Sequence, residues 1–317
     1  MQLRPLGRSG LDVSTLCLGT NVFGWTADET MSHALLDRFV AAGGNFIDTA
    51  NVYSTWVPGH AGGESESVLG RWLKKSGRRE RVVIASKVGL DMPGLGKGLT
   101  RSQIEHGVDD SLRRLQVERI DLLYAHSDDA GTPLEETLAA FDVLVRAGKV
   151  RAIGASNYSA ERLEAALAVS KREGLARFDA LQPLYNLVDR EPFETGLARV
   201  CEDNRVGVAS YYALASGFLS GKYRRAEDAE GHARGERVKS YFTPRGERIL
   251  GALRRAAERS GSTPATVAVA WVIAQPALTS AIASATSIEQ LDDLLAATRL
   301  KLDDKALREL AAASAPA

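Results

Sequence analysis

The sequence predicts an α/β chain, a (β/α)8 TIM barrel with an N-terminal β-hairpin as its plug. Three observations predict it. Short, continuously apolar runs alternate with amphipathic ones along 317 residues, as in a parallel sheet covered on both faces. Eight strands can be counted, each followed by at least one helix. Three of those strands end on an ionisable residue, at the end where barrels keep their chemistry. A doubly wound sheet would normally show a Gly-rich phosphate loop after its first strand, and none stands there. GLGKGL at Gly94 has Leu99 in place of the last Gly, and GKY at Gly221 lacks phosphate-loop spacing. A single domain over 1–317 is expected.

The first strand lies in VSTLCLGT, within Leu11–Thr20, and runs out through Gly19, Thr20 and Asn21 to Val22. Gly7 and Gly10 suit the turn of a small hairpin before it. Thr30–Ala42 is an amphipathic helix stopped by Gly43 and Gly44. Asn45–Ala50 (NFIDTA) is the second strand, and Ser65–Lys75 the next helix. Strands follow at Arg81–Lys87, Ile120–His126, Val150–Ala155, Ala180–Pro183, Val206–Tyr211 and Leu278–Ala283. Helices are expected at Thr100–Leu115 behind a Thr cap, at Pro133–Ala147 with Pro in its first turn, at Ala160–Glu173 and at Phe193–Asn204. Four more cover Pro244–Ser260, Pro264–Gln275, Ser287–Ala297 and Asp303–Ala313. The polar stretch Ala226–Lys239 interrupts the pattern, and its charge run Arg224–Arg237 reads as a solvated, mobile loop that could close over the site.

Composition excludes several function classes. Forty basic residues balance forty acidic ones, so no nucleic-acid or anionic-membrane partner is expected. No run approaches a transmembrane span, and MQLRPLGRSG has no signal-peptide apolar core. Cys17 and Cys201 are far apart without metal-type spacing and read as packed thiols of a reducing, cytoplasmic compartment. His126 with Asp128 and Asp129 could mark a metal-dependent barrel hydrolase. His33 and His106 lie on helices, and His60 and His232 alone remain as loop partners, so no metal is expected.

The strand ends supply Asp48, Lys87 and His126, and the loop after the second strand supplies Tyr53. Each has a bland reading: a loop cap, a rim charge, a satisfied core His, a half-buried aromatic. Together they suggest a site, because perturbed groups cluster. A phenol keeps its proton at neutral pH. A neighbouring ammonium is expected to lower its pKa and make it a usable general acid. Asp48 is the counter-charge for Lys87, and His126 can donate to a substrate oxygen. That group suits protonation of an alkoxide as a carbonyl is reduced. No side chain donates hydride, so a nicotinamide cofactor is required.

The chain resembles the aldo-keto reductases over essentially its whole length. GGNFIDTANVYS with Asp48 and Tyr53, IASK with Lys87, and LLYAH with His126 match that family's tetrad in type and order, and PLGRSGLDVSTLCLGT and GKVRAIGASNYS are similar to further segments of it. The resemblance implies reduction of aldehydes or ketones by NADPH. It implies that Ser156, Asn157 and Gln182 hold the carboxamide and that Tyr211 stacks on the nicotinamide. Gly19, Thr20, Asn21, Asp48, Ala213, Leu214, Gly217, Leu219, Gly221, Lys222, Ser284, Thr286, Gln290 and Asp293 complete the implied cofactor site. The Gly-rich SGFLSGK lets backbone approach a pyrophosphate. Thr286 with Glu289 forms a capping-box pattern whose helix start is an anion site. Thr286 and Leu294 stand where the family commonly has Arg and Asn, so NADP(H) is favoured and NAD(H) stays open. A cofactor-binding regulatory subunit on the same fold is the alternative.

Phe23, Trp25, Val52, Trp56 and Tyr212, with Tyr53 and His126, are the expected walls for a small-molecule carbonyl substrate. The chain ends soon after its last predicted helix, and an open mouth of broad specificity is expected.

Overall fold

A computed structural model of the chain describes residues 1–232 and 234–315. The chain end, on which the expectation of an open mouth rests, lies outside them. β1 (Leu3–Pro5) and β2 (Asp12–Ser14) pair antiparallel as the hairpin. The predicted first strand is therefore split: Val13 and Ser14 finish the hairpin, and β3 (Leu16–Gly19) opens the barrel. The Ser14 hydroxyl donates to Leu16 O at 2.7 Å and fixes the bend at Thr15. At Gly7 (φ +58°) a Cβ would lie 2.3 Å from Asp179 O and 2.5 Å from Gly207 N. Only Gly lets the hairpin turn press so closely on the barrel floor.

Seven strands follow β3: β4 (Phe46–Asp48), β5 (Val83–Val88), β6 (Ile120–Ala125), β7 (Val150–Ser156), β8 (Phe178–Gln182), β9 (Gly207–Ser210) and β10 (Ser280–Ala283). They pair parallel in chain order, and β10 closes on β3. Boundaries shift from those expected: Arg81 belongs to a 3-10 turn, and Tyr211 lies beyond β9, bridged to Leu184.

Side chains on a strand alternate between its two faces. Leu6, Leu11 and Val13 of the hairpin join Cys17, Phe46, Ala85, Leu122, Tyr124, Ala180, Ala209 and Ile282 inside the barrel. The other face is covered by α1 (Glu29–Ala41), α2 (Glu64–Ser76), α3 (Arg101–Leu115), α4 (Leu134–Arg146), α5 (Ala160–Glu173) and α6 (Ala198–Asn204); α7 (Gly235–Ser240) lies against the 3-10 turns Ala215–Ser220 and Ala226–Ala229, and α8 (Pro244–Ser260), α9 (Pro264–Ile273) and α10 (Ile288–Ala297) complete the layer, with α11 (Asp304–Ser314) packed on α8. The caps are local: Thr100 and Gln103 make a full capping box before α3, and Asp28 accepts from Met31 N before α1. None of these helices is long and apolar enough to cross a membrane.

Three segments differ from expectation. A π turn, Phe193–Leu197, precedes α6 where one continuous helix is predicted. The polar stretch Ala226–Lys239 is folded over its described residues: a 3-10 turn, Ala226–Ala229, leads to α7. Ala229 and Val238 are its buried anchors. The cap of α10 is Ser287, accepting from Gln290 N, and not Thr286 with Glu289. Thr286 instead gives both its N–H and its hydroxyl to Gln290 Oε1.

Candidate active site

The period of two builds the site. Two residues beyond interior Cys17, Phe46, Ala85, Tyr124, Ala180, Ala209 and Ile282 stand Gly19, Asp48, Lys87, His126, Gln182, Tyr211 and Ser284. Ser156 ends β7 in the same phase, so every strand sends one residue to the same mouth.

Lys87 Nζ is its centre. It donates to Asp48 Oδ2 at 2.6 Å, to Thr49 O at 2.8 Å and to Tyr53 OH at 2.8 Å. Three acceptors use all three protons of an ammonium. The side chains of Lys87 and Asp48 are 1% and 2% exposed, and charges so buried survive only when paired and hydrogen-bonded. The Tyr53 hydroxyl donates to Asp48 Oδ2 at 3.2 Å, and Gln182 Nε2 donates to Asp48 Oδ1 at 2.8 Å.

Burial and the Asp48 carboxylate push the Tyr53 phenol well above its ordinary pKa. The expected lowering by Lys87 is thus reversed, because burial disfavours the phenolate and the Asp48 carboxylate adds to that effect. Burial outweighs Asp48 and draws Lys87 below its usual value. Burial, helped by Lys87, holds His126 well below its ordinary value, so its imidazole is neutral near pH 7. Its Nδ1 is buried without a partner among the described residues.

A second circuit joins this one. Tyr211 OH donates to Asn157 Oδ1 at 2.7 Å; Asn157 Nδ2 donates to His126 O at 2.8 Å and Ser156 Oγ at 3.1 Å. Ser156 Oγ donates to Gln182 O at 2.9 Å. Asn157 has φ +55°, a left-handed turn that Asn tolerates.

The β9 side is built from backbone. Ala215, Ser216 and Gly217 are successively left-handed, with φ +46°, +58° and +99°. Such strain in non-Gly residues marks functional loops, and successive N–H groups in such turns form anion concavities. Ser216 Oγ is buried without a partner among the described residues, and Lys222 Nζ would lie 3.7 Å from a Cβ at Gly217. Opposite, Ser284 Oγ donates to Asn21 Oδ1 at 2.6 Å, and a Cβ at Gly19 would come 2.7 Å from Ser284 Oγ. The orphaned Ser216 hydroxyl and the Gly cradle fit a bound dinucleotide.

Several expected contacts turn inward. Thr20 is buried, its hydroxyl donating to Asp48 O at 2.9 Å, so it ties β3 to β4. Ala213 and Leu219 are buried and leave only main chain for a ligand. Leu294 packs in the helical core and faces no adenine site; neighbouring Asp293 is half-buried. Asp293 O accepts from Thr266 at 3.0 Å. Phe23 is fully buried, because the turn Thr20–Ala27 folds it under the mouth, and Val52 is buried too. Trp25 and Trp56 meet edge to face at 5.8 Å, Trp56 reaches Tyr53 at 6.1 Å, and Tyr53 lies 6.1 Å from His126. Asp128 pairs with Arg162 at 2.7 Å, while Asp129 holds Leu99 N and Thr132. Among the described residues no group of three His, Cys, Asp or Glu could hold a metal.

The sequence reading missed Arg234 and Arg237, which lie over the rings of Trp25 and Tyr212 at 6.0 Å and 4.5 Å. Inside a run of charges nothing separates them from solvated residues.

Comparison with known proteins agrees with the geometry. The family model described as "Aldo/keto reductase family" matches residues 15–315. The "Uncharacterized oxidoreductase YrpG" of Bacillus subtilis is 35% identical, over 98% of this chain and 95% of its own length. The "L-glyceraldehyde 3-phosphate reductase" of Escherichia coli is 33% identical, over 92% and 86%. The "Probable voltage-gated potassium channel subunit beta" of Arabidopsis thaliana is 33% identical, over 92% and 90%. Barrel, strand-end constellation and family match agree: the chain belongs to the aldo/keto reductase family.

Proposed function

We propose that the protein reduces aldehydes or ketones to alcohols with NADPH, Tyr53 acting as general acid. The observation that carries this is the saturated Lys87 ammonium bridging Asp48 and the Tyr53 hydroxyl at 2.6 and 2.8 Å. Residues at the ends of β9 and β10 would hold the dinucleotide, which would supply the hydride for the carbonyl carbon. Ser156, Asn157 and Gln182 would hold the carboxamide, Tyr211 would cover the ring, and the left-handed turn at Ser216–Gly217 would receive the pyrophosphate with Leu214 and Gly221 alongside. Lys222, beside Gly217, supplies positive charge at the pyrophosphate, and NADP(H) is favoured on the family resemblance. Gln290, Ser284 and Asp293 border the adenosine end.

As the carbonyl oxygen gains charge, the Tyr53 hydroxyl turns from Asp48 to that oxygen and releases its proton. Its raised pKa keeps the proton in place until an alkoxide, a stronger base than phenolate, develops. The Lys87 hydrogen bond stays in place and stabilises the phenolate as it forms. Neutral His126 donates one hydrogen bond to the same oxygen. Trp25, Trp56 and Tyr212 exclude water around it.

The test is an aldehyde panel followed by loss of NADPH or NADH absorbance, beside cofactor titration by protein fluorescence. Saturable quenching with turnover supports the reading; absence of quenching by either cofactor defeats it. The relatives named as channel β subunits favour a second reading, a cofactor-binding regulatory subunit. Quenching without turnover on any aldehyde would select it.

A further inference from the structure

The catalytic group just proposed carries almost no net charge: Lys87 is paired with Asp48, and His126 is neutral. The charge a substrate meets is therefore set at the rim. Arg237 of α7 stands there, its guanidinium 4.5 Å from the centroid of Tyr212. Tyr212 meets Tyr211 edge to face at 5.1 Å, and Tyr211 is tied through Asn157 to the backbone of His126. Tyr212 has φ +58°, costly for an aromatic residue, and Asn186 Nδ2 holds its carbonyl at 3.1 Å. The Arg237 platform is thus built into the fold.

Arg237 is occupied only along one edge. Its Nε donates to Tyr241 OH at 3.3 Å. Among the described residues its two Nη groups have no partner, and no carboxylate forms an ion pair with it. The nearby acids are engaged elsewhere. Glu236 pairs with Lys239 at 3.0 Å, and Asp189 accepts from Asn186 at 2.9 Å and Tyr241 at 3.2 Å. Arg237 borders a cleft of about 300 Å³ that Tyr212, Ser216, His232 and Arg234 also line. The free Nη fork of a guanidinium matches one carboxylate.

We propose that Arg237 recognises a carboxylate on the substrate, so that the site takes anionic aldehydes or keto acids in preference to neutral carbonyls. The inference rests on the carbonyl-reductase reading above. The test compares 4-carboxybenzaldehyde with its neutral methyl ester, in wild type and in Arg237→Gln, at saturating NADPH. Wild type should favour the acid in kcat/KM by about tenfold or more, the worth of one charge-assisted pair. Arg237→Gln should collapse that ratio towards one, chiefly through KM, and Arg237→Lys should restore part of it. The ester rate in each variant reports that the barrel and cofactor site are intact. No preference in wild type, or a preference that survives Arg237→Gln, overturns the inference alone. So does an intact ratio with cofactor binding weakened tenfold, which would assign the guanidinium to a cofactor phosphate. Reduction of neither probe by a protein that binds cofactor overturns the carbonyl-reductase reading as well.

Discussion

Two buried charge networks stand back to back on β5. Ser86 points outward and accepts no role at the mouth; its hydroxyl donates to Glu66 Oε1 at 2.6 Å, and Glu66 Oε2 receives Arg114 at 2.7 Å. Lys87, the next residue, points inward to Asp48 and Tyr53. Glu66 is as inaccessible as Asp48. Burial of charge alone therefore does not mark a reactive site. The outer network ends in satisfied partners between β5, α2 and α3. The inner one ends at a phenol that can turn, beside an imidazole with an unpartnered nitrogen. Reactivity lies in the end left open.

The contrast can be broken from either side. Tyr53→Phe should give the largest effect on chemistry. General acid catalysis is worth about 10² to 10⁴-fold, and single-turnover reduction should fall by that range while cofactor titration and melting temperature hold. A rate within a few-fold of wild type would remove Tyr53 from the role. Glu66→Ala should do the opposite: Arg114 is left partly buried and unpaired, at a cost of about 3–5 kcal/mol of stability. Denaturant midpoints should record that loss, while single-turnover rates in the folded fraction stay near wild type. A large rate loss there would mean that the two faces of β5 are coupled.

Asp48→Asn should fall between. The amide keeps the hydrogen bond from Lys87 but removes the counter-charge, so both rate and stability decline, the rate by less than in Tyr53→Phe. The smallest effect belongs to His126. Its pKa is lowered on folding, so the unfolded chain binds the extra proton first as pH falls. Stability should decline below the unfolded value near about pH 6.5, by at most about 1.4 kcal/mol per pH unit. It should be insensitive to this residue above that. Melting curves of His126→Gln between pH 5 and 7 should be flatter than wild type; an identical slope would assign the acid loss to other groups.

Strand order and the inner network were legible in the chain for one physical reason. Asp48, Lys87 and His126 interrupt apolar runs at the same phase of a period-two pattern, and a barrel sends that phase to one rim. What failed is finer than that pattern resolves. Phe23 and Leu294 were read toward a ligand, and the tertiary packing turned both inward. The α10 cap slipped by one residue because Ser287 and Thr286 are both acceptable cap chemistry. The direction of the Tyr53 shift depended on how deeply the phenol is buried beside Asp48, which no spacing encodes. Arg237 was hidden because a guanidinium with a platform and one without have the same letter.

Gly154 and the hairpin have one more consequence. A Cβ at Gly154 would lie 2.6 Å from the Tyr124 ring, so the bare backbone there is what admits that ring to the barrel interior. Tyr124, Phe46 and Leu122, with Leu6, Leu11 and Val13 below them, fill the barrel between its floor and Lys87 with buried apolar side chains. For protons the barrel is a blind alley with one door. On the proposed reading, a proton given away by the Tyr53 phenol would be replaced from the mouth, and a seated substrate and cofactor would shut that door until product leaves.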